Sequence, residues 1–184
     1  MFTSNNKQES RELIKTLDLN TVPEIFVKND DEDKIREFFN NNKASKYVVR
    51  DGSRSSSTYY YVYNADEAIE KAKKYNGLVI VAVSINSYEN KILLGAIQIN
   101  ADDTVRFCGT TNKELDHRTM YRNPEFDYDT TIIDKKLSNI PKFDMLYEYV
   151  SKHQLHGLTI EFTIYDRPVG NKNEYILINE LRNY

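Results

Sequence analysis

Two places in the chain gather side chains suited to a polyphosphate and its divalent metal. Near the C-terminal end, Glu161 interrupts the apolar run Leu158–Ile164, and Glu180 and Arg182 stand in the run that begins at Tyr175. A pair of strands at this separation brings the two carboxylates near each other. Like charges on a half-buried sheet repel, so the pair calls for a cation or a shared proton. Two hard oxygen ligands beside phosphate oxygens suit Mg²⁺, and Arg182 is placed to steady charge on a phosphoryl group in transfer. A plainer use of the same residues pairs Glu161 or Glu180 with Arg182 or Lys172 on a solvated sheet face. Strict alternation puts Ile176, Ile178, Glu180 and Arg182 on one face of the last strand, against Leu177, Asn179 and Leu181. In its partner, Thr159, Glu161 and Thr163 share a face, against Ile160, Phe162 and Ile164.

The second place is Arg50–Ser57, which holds two arginines, four serines, Asp51 and Gly52 between two β-rich runs. Guanidinium forks, hydroxyls and inward-facing amides contact phosphate oxygens by charge-assisted hydrogen bonds. A polar hairpin connection is the alternative.

Other chemistry is missing. No GxxxxGK[ST] loop, GxGxxG or CxxC occurs, which sets aside P-loop enzymes, Rossmann dehydrogenases and thiolate zinc sites. His153 and His156 read as a surface pair at a helix end, since no carboxylate stands near them at metal spacing. His117 is an incidental loop histidine or a general base. Cys108, the single cysteine, reads as a small buried hydrophobe and excludes an internal disulfide. The acidic run Asn29–Asp33 is a helix cap rather than a metal loop, because no glycine turn or distal glutamate completes it.

The elements that must position these residues follow from periodicity. A helix over 9–17 turns Leu13, Ile14 and Leu17 to one side, behind caps at Ser4 or Asn5. A second follows the acidic run and buries Ile35, Phe38 and Phe39. Runs 46–50 and 58–63 form a hairpin, and Asn64 caps a helix with Ala68, Ile69 and Ala72 inward. Runs 78–85, 92–99 and 104–108 form an antiparallel meander. From Gly109 to Ser138 the pattern dissolves into a polar stretch, a length that points to function if it is structureless. A helix over 142–153 precedes the two final strands. The order defines an α+β protein, mainly antiparallel sheet with flanking helices.

At 184 residues, the chain is expected to form a single compact domain, or two small lobes of about 1–77 and 78–184. No run spans a bilayer, and a net charge of −3 argues against general nucleic-acid binding. A polar start without an apolar core implies a cytoplasmic protein. Fourteen tyrosines with no tryptophan reflect AT-rich coding, so tyrosine content says little about recognition. Nine arginines among 25 basic residues make each arginine more telling, since a planar fork has geometric uses lysine lacks.

Taken together, the pieces resemble the ATP-grasp fold, and within it a reduced nucleotide-binding domain of the pyruvate phosphate dikinase and phosphoenolpyruvate synthase type. Val48–Ser53 resembles that group's Arg-Ser-Ser strand end, Thr159–Phe162 its Asp-Ile-Glu-Phe motif and Glu180–Arg182 its Gln-x-Arg strand. Asp51 stands where the family has Ser, and Glu180 where it has Gln. The resemblance implies Mg-ATP as cofactor, with Arg50, Ser53 and Arg54 on phosphates and Lys46 as a positional candidate on the adenine side. Glu161 and Glu180 would hold the metal, and Arg182 would stabilise the transferred phosphoryl group. The resulting expectation is a nucleotide-binding enzyme of phosphoryl transfer or carboxylate activation. The alternative is a non-catalytic protein, such as a phage or mobile-element inhibitor of a host or defence protein. A third form is a degenerate lobe that binds nucleotide or a homodimer partner without chemistry.

Overall fold

The structure, a computed structural model, describes residues 7–52 and 58–183. The chain runs through helix α1 (Lys7–Thr16), β1 (Glu24–Lys28), α2 (Glu32–Asn41), β2 (Tyr47–Asp51), β3 (Tyr59–Val62), α3 (Ala65–Ala72) and β4 (Leu78–Val83). There follow β5 (Lys91–Ile99), β6 (Thr104–Thr110), α4 (His117–Met120), β7 (Phe126–Thr131), α5 (Phe143–Lys152), β8 (Leu158–Val169) and β9 (Glu174–Asn183). It divides into two units, one built on Val22–Glu89 and the other on Ser10–Thr21 together with residues from Asn90 onward. None of the helices described is long and apolar enough to cross a membrane.

The smaller unit is a four-stranded antiparallel sheet in the order β1-β4-β2-β3. Its centre is β4, LVIVAV, a β-branched run with five of six residues buried. Asp31 caps α2 by accepting from the Lys34 amide, so the acidic run is a helix start, and Ile35, Phe38 and Phe39 go inward. Asn64 caps α3 in the same way through the Glu67 amide. The expected meander is corrected, because β4 pairs with β1 and β2 and not with β5. Strand β1 had no periodic signal: only Val27 of its five residues is buried.

The larger unit is a five-stranded antiparallel sheet in the order β7-β6-β5-β8-β9. One face is apolar: Leu93, Ile97, Phe107, Ile160, Phe162, Ile176, Ile178 and Leu181 join Leu146 and Val150 of α5, and Ile14, in one core. Helix α1 and the segment after it close the outer edge of β9. Asn20 accepts from the Ile178 amide through its carbonyl at 2.8 Å, and its Nδ2 donates to Ile176 O at 2.8 Å and Val169 O at 3.0 Å. The Leu181 amide donates to Ser10 Oγ at 2.9 Å. Without these bonds a bare edge would invite pairing with another chain. The hairpin turn beside Asn20 needs glycine: Gly170 has φ +80°, and a Cβ there would lie 2.5 Å from Asn20 Oδ1.

The stretch read as patternless is ordered. It holds the end of β6, the short helix α4, the edge strand β7 and a 3₁₀ turn over Lys135–Asn139. Asp116 and Thr119 form a reciprocal capping box at α4.

Candidate functional site

The other face of the larger sheet is polar, and strand register lays its residues in rows. One row runs Asp127, Cys108, Ala96, Glu161, Glu180 across β7, β6, β5, β8 and β9. The next runs Asp129, Arg106, Gln98, Thr159, Arg182. Glu161 and Glu180 are therefore direct cross-strand partners.

A β-bulge makes this so. The register passes from Glu161↔Glu180 to Phe162↔Ile178, leaving Asn179 as an extra residue. Strict alternation had grouped Glu180 and Arg182 with Ile176 and Ile178. The bulge overturns that grouping, since Ile176, Ile178 and Leu181 enter the core, while Asn179 joins Glu180 and Arg182 on the polar face and donates to Thr163 Oγ1 at 3.0 Å.

Arg182 stands between the two carboxylates. Its Nη2 lies 2.9 Å from Glu161 Oε1 and its Nε 3.0 Å from Glu180 Oε1. These side chains keep 26%, 8% and 15% of their surface for Arg182, Glu161 and Glu180, so their charges interact at shortened screening. Lys172, the other cation considered, pairs with Asp18 instead. A fourth member went unnoticed in the sequence: Tyr121, just past α4, donates its hydroxyl to Glu161 Oε1 at 2.9 Å. Burial pushes the Tyr121 phenol well above the ordinary range, and the Glu161 charge adds to it, so it stays a neutral donor.

Helix α4 makes two further contacts with this face. His117 Nε2 lies 3.1 Å from the Phe162 carbonyl and 3.2 Å from Asn179 Nδ2. Burial pushes its pKa down, opposed by Glu161 and by the Phe162 and Gly95 carbonyls. His117 thus braces the strands rather than standing free as a loop base. Met120 is buried, its Sδ 3.4 Å from Cys108 Sγ. Cys108 is only partly covered, which corrects its reading as a buried hydrophobe; burial and then Asp127 push its thiol up, against reactivity. His153 stacks on Tyr149 at 4.4 Å between centroids.

Of the residues expected at the site, Glu161, Glu180 and Arg182 come together in the larger unit. Arg50 and Lys46 belong to the smaller. Arg50 lies in β2 opposite Tyr59 and Ile80. Lys46 Nζ sits 4.9 Å over the Tyr61 ring. Ser53 and Arg54 lie outside the described residues. Just before them, the Gly52 amide donates to Leu78 O at 2.9 Å, and a Cβ there would lie 3.0 Å from that oxygen.

Among the described residues no three His, Cys, Asp or Glu side chains are grouped to hold a metal by themselves. The donor set nevertheless fits Mg²⁺, which commonly takes one or two protein carboxylates and fills its shell from phosphate and water. Arg182 bonds Oε1 of each carboxylate.

No protein-family model matches the chain, and no curated protein does either. Solved structures do match its fold. D-alanyl-alanine synthetase A from Vibrio cholerae is 18% identical at a TM-score of 0.53, over 97% of this chain and 55% of that one. The macrocyclase MdnC from Microcystis aeruginosa, bound to its precursor peptide, is 14% identical at 0.52, over 95% and 51%. The ADP complex of N5-carboxyaminoimidazole ribonucleotide synthetase is 14% identical at 0.53, over 96% and 44%. These are ATP-grasp enzymes, and the likeness shows an ATP-grasp-like α+β fold. The chain spans about half the length of the structures it matches.

Proposed function

We propose that the chain binds Mg-ATP on the polar face of the larger sheet and uses it for phosphoryl transfer or carboxylate activation. The observation that carries this reading is the bulge that sets Glu180 and Arg182 beside Glu161 on one face. Glu161 and Glu180 hold the divalent ion, which when bound neutralises phosphate charge. Arg182 offers a planar fork to the transferring phosphoryl group, and Tyr121 fixes the orientation of Glu161. Such chemistry needs positioning and electrostatic stabilisation more than covalent participation. The fold supports nucleotide use through its ADP-bound neighbour, and the motif likeness to the pyruvate phosphate dikinase type favours phosphoryl transfer. Arg50, Ser53 and Arg54 are proposed as phosphate contacts and Lys46 as an adenine-side contact, each tested by its own substitution.

The test is thermal unfolding with ATP and Mg²⁺ together, separately and on Glu161→Gln. A ligand at a hundred times its Kd adds about 2.7 kcal/mol of stability. The reading expects a shift that needs the metal and disappears in Glu161→Gln; no shift at millimolar ATP overturns it. One observation favours a second reading: Arg182 already bonds both carboxylates, as in a purely structural network. The chain would then be a binding protein without turnover, engaging another protein or a second copy of itself.

A further inference from the structure

The Arg182 guanidinium occupies the position a cation would take between two carboxylates, 2.9 Å from Glu161 and 3.0 Å from Glu180. Two carboxylates and one guanidinium leave a single net negative charge in a partly covered site. A divalent ion entering there meets a positive charge already bonded to the same oxygens, and like charges at such distances oppose each other strongly when water is scarce. Resting on the Mg-ATP reading, we infer that Arg182 is an internal counter-cation, so that divalent metal and nucleotide bind with positive coupling. With no polyphosphate present, Arg182 holds Glu161 and Glu180 and keeps metal affinity low. When a phosphate takes the guanidinium, the carboxylates are released toward the metal. Tyr121 holds Glu161 Oε1 at 2.9 Å through the exchange, because a neutral hydroxyl does not oppose a cation. Neither ligand alone then commits the site.

Mn²⁺ binding followed by electron paramagnetic resonance tests this without relying on turnover. Coupling between sites is typically worth 5- to 150-fold in affinity, so Arg182→Gln should bind free Mn²⁺ about tenfold or more tightly than the wild type. Arg182→Lys, which keeps the charge, should bind it as weakly as the wild type. A non-hydrolysable ATP analogue should tighten Mn²⁺ on the wild type by a factor about tenfold larger than on Arg182→Gln. Arg182→Met, which keeps the packing of the stem, repeats the measurement if the glutamine variant does not fold. Mn²⁺ affinity within twofold of wild type in folded Arg182→Gln or Arg182→Met overturns the inference. Absence of any ATP-dependent stabilisation of the wild type instead removes the Mg-ATP reading, so the two failures are separable.

Discussion

The phenol of Tyr121 donates to Oε1 of Glu161 over 2.9 Å, joining a helix end to a strand 40 positions away. The same oxygen takes Nη2 of Arg182, so Glu161 is held from two sides. Tyr121→Phe removes one donor and leaves the ring. Because Tyr121 is 43% exposed, the loss should be modest, about 1 kcal/mol by chemical denaturation. Metal affinity should fall with it, and an unchanged stability would remove Tyr121 from the network.

Arg182→Ala strands a nearly buried carboxylate. Removing one partner of a buried pair destabilises by roughly 3–5 kcal/mol, and the partial exposure of Arg182 discounts the expectation below that range, to about 2–3 kcal/mol. In the double variant with Glu161→Gln the effects should fall short of their sum, since the charge left behind is gone. Simple additivity in a denaturation cycle contradicts the pairing.

Acid should weaken the protein in two stages. The folded pKa values of His117 and His153 lie below the ordinary imidazole value, burial being the main cause in both. The unfolded chain then binds more protons, so stability present above about pH 6.5 declines as pH falls below it. Hydrogen bonds hold Asp102, Glu125 and Asp134 below the carboxylate range, and their contribution is lost only below about pH 4. Melting temperature against pH should show both steps, with the upper one flattened in His117→Gln. An unaltered upper step in that variant assigns it elsewhere.

Asn179 is the surplus residue of β9, so deleting it restores regular alternation without moving Glu180 from its place opposite Glu161. The deletion loses the Thr163 hydrogen bond, worth about 1 kcal/mol, and should keep any Mg-ATP response. Loss of cooperative unfolding would show that the bulge itself is required.

Helices with capped starts and apolar stripes were legible: Asn64 and Asp31 both cap as their sequence implies. The buried strands were legible too, by composition. Strands β1 and β7 were not, because edge strands bury one face weakly and β7 alternates only between half-exposed and exposed. Of the site, Glu161, Glu180 and Arg182 stood out as charges inside apolar runs. Their common face did not, since period-two counting fails at a bulge and no residue type announces one here. Tyr121 was hidden among fourteen tyrosines, although the Asp116–Thr119 capping pair marked a helix in front of it.

The closure of β9 by Ser10 and Asn20 also bears on how the chain folds. Ser10 and Leu181 are 171 positions apart, with all four strands of the smaller unit's sheet encoded between Thr21 and Asn90 of the larger. The smaller sheet can form from contiguous chain, whereas the larger must wait for a helix made early to meet a strand made late. Such distant closure is slow, on a scale of milliseconds to seconds in β-rich domains. During synthesis every strand of the inserted sheet is made before β9, the strand that Ser10 and Asn20 seal.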